Sequence, residues 1–99
     1  MAYLTIHRLA GDPDDLLARK KEYLDPVTSR LAPSYGGIFS VTAQSADGLV
    51  IVNLWDSADA PTRFSRAPEV VRAEQASGLP APHSFERYDE VQVEPYAPQ

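Results

Sequence analysis

A chain that reads strand, helix, strand, strand, helix pair, strand predicts an α+β fold, a four-stranded antiparallel sheet with its helices on one face. Three observations carry that order. Several segments rich in β-branched and aromatic residues alternate apolar with polar. A stretch opened by Asp and Pro repeats apolar residues at helical spacing. Between two β-rich runs lies "SADG", a hairpin signal.

The first strand is "AYLTIHRLA", about Ala2 to Leu9. "GDPDD" then starts a helix, with Asp12 as N-cap, Pro13 at the first position, and Asp14 and Asp15 at the positive end of the dipole. Leu16, Lys20, Tyr23, Leu24, Val27 and Leu31 form one stripe with Leu17 beside it. Asp25-Pro26 interrupts it, so a kink or restart is expected near Leu24. "APSYGG" ends the helix, and residues 37–55 form a hairpin of "GIFSVTAQ" with "LVIVNLW". Ser57 or Asp59 caps a short helix carrying Phe64. Ala67-Pro68 starts another, with Val70 and Val71 inward, ending at Gly78. "LPAPH" connects to a last strand, Ser84 to Glu94. This is the split βαβ order of the ferredoxin-like fold, expected as one domain over residues 1–94 with a tail at 95–99 that is loose or crosses to another subunit.

Composition narrows the function classes. A chain of 99 residues holds one modest core, burying roughly two-thirds of its unfolded surface. It has no cysteine, which removes disulfides, thiolate catalysis and iron–sulfur ligation. A net charge of −5 repels phosphate backbones, so no nucleic-acid partner is expected, and "RKKE" reads as a solvated helical face. No stretch approaches the roughly 20 apolar residues of a membrane span. "MAYLTIHRLAGD" does not resemble a secretory signal, so the cytoplasm is the expected location. There is no glycine-rich phosphate loop, nucleophile elbow or metal-ligand spacing, and no metal is expected.

The third strand is apolar on both faces except at Asn53. Placing Val50, Val52 and Leu54 toward the helices leaves Leu49, Ile51, Asn53 and Trp55 on the opposite side, with Tyr3, Thr5 and His7 of the first strand. Such a face is too apolar for water, so a homodimer packing sheet to sheet is expected.

The strand "LVIVNLW" followed by "DSADAPTRFSRAPEVVRA" resembles the dimeric α/β-barrel superfamily, and most closely its antibiotic biosynthesis monooxygenase branch. The resemblance lies in a strand-end Trp, a small helix cap, an aromatic on the next helix and a residue-Pro helix start, over about a fifth of the chain. It implies two sheets facing each other across a dimer, and activities ranging from cofactor-free oxygenation of polyphenols to haem degradation, isomerisation, cyclisation and roles without chemistry. Fold alone does not choose among them. The helical Trp of haem-degrading members falls on Phe64 and their iron-ligating His on or near Glu74. Neither supplies the needed group, so no haem or other cofactor is expected.

A cofactor-free oxygenase needs a base, a donor to developing negative charge, and aromatic walls. His7, with an ordinary pKa of about 6.5, is the candidate base, and Asn53 the candidate donor to a carbonyl or oxyanion. A small apolar or aromatic ligand is expected, bound by Tyr3, Thr5, Tyr35, Ile51, Trp55, Phe64 and Tyr88, with Phe39 or Phe85 as further stacking surfaces. Each has a plainer explanation. Trp55 is accounted for first as a plug of the core. Asn53 can satisfy a dimer backbone, and Glu86, Asp89 and Glu90 read as a solvated strand edge. Arg87 anchors an anion or guards the edge strand against aggregation. The same toolkit suits an isomerase or cyclase acting on an enolisable carbonyl compound. A noncatalytic binding or accessory dimer is the alternative of a different class.

Overall fold

The structure is a computed structural model that describes residues 2–96. The sheet is built from β1 (Tyr3–Ala10), β2 (Gly37–Ser45), β3 (Gly48–Trp55) and β4 (Ser84–Tyr88), in the order β2-β3-β1-β4 with all three pairings antiparallel. The helix layer comprises α1 (Pro13–Arg19), a π-helical turn Lys20–Leu24, α2 (Asp25–Leu31), a 3-10 turn Ala32–Tyr35, α3 (Ala60–Ser65) and α4 (Pro68–Ser77). No helix among the described residues is long and apolar enough to cross a membrane. This is the ferredoxin-like α+β arrangement that the order of elements predicts.

Local chemistry explains the boundaries. The Asp12 carboxylate accepts from the amides of Asp14 and Asp15 at 2.9 and 3.1 Å, capping α1. Pro26 does not break the helix. The chain widens into one π turn just before it, the Asp25 amide bonding back to the Lys20 carbonyl, which accommodates the missing N–H and the bulk of the ring. Lys20 is thereby drawn inward, 8% exposed, with its ammonium 2.6 Å from Asp25. "RKKE" is therefore only partly a solvated face. At Asp59, the N-cap position of α3, the carboxylate pairs with Arg63 rather than capping the backbone.

Two glycines meet steric demands. Gly36 closes the 3-10 turn at φ 95°, where a side chain would also run into the Asp56 carboxylate. Gly48 opens β3 opposite Ala10, and any Cβ there would collide with the Leu9 carbonyl.

The face assignment expected from sequence is inverted. Leu9, Leu49 and Ile51 pack on Leu16 of α1, and Tyr3 and Trp55 pack on Ala60 and Phe64 of α3. The side bearing Tyr3, Thr5, His7, Ile51, Asn53 and Trp55 thus lies under the helices. The open side carries Leu4, Ile6, Val50 and Val52, together with Phe39 and Val41 of β2, about half exposed at 49% and 53%. Because β3 is apolar on both sides, alternation alone cannot say which side the crossover helix covers. Leu54 belongs to the open side yet is 1% exposed. It forms, with Leu4, Ile38 and Phe39, one wall of a groove of about 580 Å³ whose other wall is Val91 through Pro95.

Two further expectations are corrected. β4 ends at Tyr88 rather than Glu94, because Asp89 and Glu90 turn the chain, Glu90 adopting φ 51°. Val71 is 37% exposed, since the inner line of α4 is Val70, Ala73 and Ser77 and a neighbour in sequence points about 100° away. Of the tail expected at residues 95–99, residues 97–99 lie outside the described residues.

Candidate functional site

Antiparallel register sets side chains across the sheet in rows, directly paired residues sharing a side. On the helix side one row runs Ser40, Asn53, Thr5, Arg87 across β2, β3, β1 and β4. Every member is polar. The next row runs Thr42, Ile51, His7, Phe85. On one side of the polar row lies the core cluster of Leu9, Leu16, Leu49 and Ile51, which reaches into the second row, and on the other that of Tyr3, Trp55 and Ala60. A polar band between two apolar clusters, under a helix layer, is the feature that packing alone does not call for.

His7 and Asn53 are therefore diagonal neighbours on adjacent strands, facing the same side. Both are half-buried. The His7 ring lies 4.6 Å from that of Phe85, and the Arg87 guanidinium sits 4.8 Å over the Phe85 ring. Burial, and then the Arg87 charge, holds the His7 imidazole below its ordinary pKa. That shift favours the unprotonated imidazole, the state a base requires.

The aromatic candidates divide. Trp55 is 4% exposed, its indole N–H donating to the Thr5 hydroxyl at 3.1 Å. Phe64 packs on Trp55 at 5.4 Å and on Tyr35 at 5.6 Å. Tyr3, Tyr35, Trp55 and Phe64 thus make one aromatic wall at the end of the polar band, braced by α3. Thr5 is fully buried beneath it, and Ile51 belongs to the core cluster under α1. Tyr88 does not join them: it pairs with Leu4 on the open side, its hydroxyl donating to Glu86 at 2.8 Å, and Glu86 in turn accepts from Arg8 at 2.9 Å. Phe39 also lies on the open side. On α4, Glu74 is partly desolvated, which raises its carboxyl pKa.

Phe85, Arg87, Ser40 and Thr42 complete the band, and Ser40 and Thr42 carried no signal in the sequence. Each is an ordinary polar residue of an alternating strand, and only the register aligns them with Asn53 and His7.

No protein-family model matches the chain, and no curated protein matches it. Solved structures do. A Chloroflexus aurantiacus protein provisionally described as an antibiotic biosynthesis monooxygenase is 21% identical with a TM-score of 0.66, the match covering 98% of each chain. A Caulobacter crescentus protein of the same provisional description is 20% identical, TM-score 0.68, over 92% of this chain and 91% of that one. SnoaB, a cofactor-independent oxygenase from Streptomyces nogalater, is 14% identical, TM-score 0.62, over 96% of each. The ferredoxin-like fold of antibiotic biosynthesis monooxygenase-like proteins, expected from the sequence resemblance, is the fold this chain has.

Proposed function

We propose that the protein binds a small aromatic or polyketide-like molecule at the polar band on the helix side of the sheet and oxygenates it without a cofactor, with His7 as base and Asn53 as donor to the developing oxyanion. The observation that carries this reading is the polar row of Ser40, Asn53, Thr5 and Arg87 with a half-buried His7 in the row beside it. A fold shared with SnoaB supports it as analogy.

In this mechanism His7 removes a proton from an acidic methylene or phenol of the substrate, and the Asn53 amide stabilises the resulting anion. The carbanion adds dioxygen. Collapse of the peroxide leaves one oxygen atom as a new carbonyl, and the other departs as water with the two hydrogens of the oxidised methylene. Phe64 and Tyr35, the less buried members of the aromatic cluster, bound the ligand at one end.

Oxygen uptake with polycyclic phenols bearing an acidic benzylic methylene tests the proposal. His7→Ala is expected to lower turnover about 10²–10⁴-fold; unchanged turnover removes His7 from the mechanism. Substrate consumed without oxygen uptake reassigns the site to isomerisation or cyclisation, and binding without consumption to an accessory role.

The partner proposed for the open side is a second copy of the chain. Ile6, Phe39, Val41, Val50 and Val52 are too apolar to face water over one contiguous area. An isologous pairing lets each protomer's patch cover the other's. Light scattering is expected to give the dimer mass for the wild type and a monomer for Val41→Lys; a wild-type monomer contradicts it.

A further inference from the structure

On the open side the pairing of β2 with β3 slips between Gly37 and Phe39, so the consecutive side chains of Ile38 and Phe39 both line the groove of about 580 Å³. Leu4 and Leu54 complete its sheet wall. The opposite wall is an arm, Val91–Pro95, turned over the open side at Glu90, whose φ of 51° is a left-handed conformation that a residue with a side chain rarely takes. One backbone bond among the described residues, from the Val91 amide to the Ala2 carbonyl at 3.4 Å, ties the arm to the rest of the chain. The groove is apolar except at Gln92 and Glu94. A second copy packed sheet to sheet would seal it as a void, and protein interiors hold few spaces larger than a water molecule. The partner must therefore fill it.

In an isologous pair the side chain that fills one groove also fills the other, so the plug stands on the chain's own open side. Elimination among the described residues leaves one. Of the large apolar side chains that stand exposed, Tyr23 and Val71 belong to the helix layer and Phe85 to the helix side of the sheet. Ile38, Phe39 and Val93 are walls of the groove themselves, Val41 pairs with Val52 in mid-sheet, and the Tyr88 hydroxyl is held by Glu86. Tyr96 remains. It is 89% exposed and directly follows Pro95, so the arm that carries it is a wall of its own groove while its ring is turned out to solvent. We infer that each groove receives the Tyr96 ring of a second copy, the two arms engaging reciprocally; the inference rests on the reading of the open side as a dimer face. A two-fold axis parallel to the strands brings the same ends of both sheets together, the ends that bear groove and arm. The apolar body of the ring suits Leu4, Leu54 and Phe39, and its hydroxyl suits the polar Gln92 and Glu94.

The test is isotope-filtered NOE spectroscopy on dimers mixed from methyl-labelled and unlabelled wild-type chains, with Val41→Lys as the monomeric control. NOEs are expected between the Tyr96 ring of one chain and the Leu4, Ile38 and Leu54 methyl groups of the other, and none between these groups in Val41→Lys. Tyr96→Ala is expected to weaken the dimer about tenfold or more, the effect of truncating a buried aromatic anchor, and Tyr96→Phe to weaken it less. A dimer in which Tyr96 meets those methyl groups only within its own chain, or not at all, overturns the inference and leaves the open side as the dimer face. An unchanged dimer affinity in Tyr96→Ala overturns it as well. If the wild type is a monomer, the inference and the dimer reading both fail.

Discussion

The Trp55 indole nitrogen donates to the Thr5 hydroxyl across 3.1 Å, a hydrogen bond buried between β1 and β3 under the helices. It ties the largest side chain of the core to a member of the polar band, so one contact serves both packing and site geometry. Removing the indole empties a cavity between Tyr3, Ala60 and Phe64. Trp55→Ala is therefore expected to cost about 3–5 kcal/mol in urea unfolding. A double-mutant cycle of Trp55→Phe with Thr5→Val isolates the hydrogen bond at about 0.5–1.5 kcal/mol. Near-wild-type stability for Trp55→Ala would make the indole a pocket wall instead of a plug.

His7 titrates below its ordinary value because it is buried and, secondarily, because Arg87 is close. Folded pKa below unfolded pKa means that the unfolded chain takes up the proton first as pH falls. Stability is thus undiminished well above about 6.5 and declines as pH drops from there toward the folded pKa. His7→Gln should remove that part of the decline. Arg87→Gln should raise the His7 pKa without restoring it, since burial is the larger cause; an NMR titration reads both.

Lys20 and Asp25 span the π turn, the lysine 8% exposed and the aspartate partly so. Deleting the acid strands a desolvated ammonium, whereas replacing the base by an apolar chain of similar length does not. Asp25→Ala is expected to cost about 1–3 kcal/mol and Lys20→Met under about 1.5 kcal/mol. Equal costs, measured by denaturant unfolding, would contradict this account of the turn.

Gly48→Ala places a methyl group against the Leu9 carbonyl and forces β1 and β3 apart. The expected loss is about 1–3 kcal/mol. A neutral effect would mean that the strands do not approach this closely.

Much of the fold was legible because local signals agreed with one another. Asp12-Pro13, the "SADG" turn, Ala67-Pro68 and Gly78 each mark a boundary that the structure keeps. The sidedness of the sheet was not legible. β3 is apolar on both sides, so the parity of Asn53 and Trp55 was read correctly relative to Tyr3, Thr5 and His7, and wrongly relative to the helices. His7 and Asn53 stayed on one side of the sheet through that inversion because register, not sidedness, joins them. Tyr88 did not, since its parity on β4 depends on which residue pairs with Leu4. The polar band itself depends on the alignment of four strands, which no single segment encodes.

The helix-side band, and not the open-side groove of Leu4, Phe39 and Val91–Pro95, is the ligand site proposed for this protein. Amide and side-chain NMR shifts on titration with a polycyclic phenol bearing an acidic benzylic methylene locate the ligand. Changes are expected to centre on the His7 ring, the Asn53 side-chain amide and Phe85. Changes confined to Leu4, Phe39, Leu54 and residues 91–95 would contradict it.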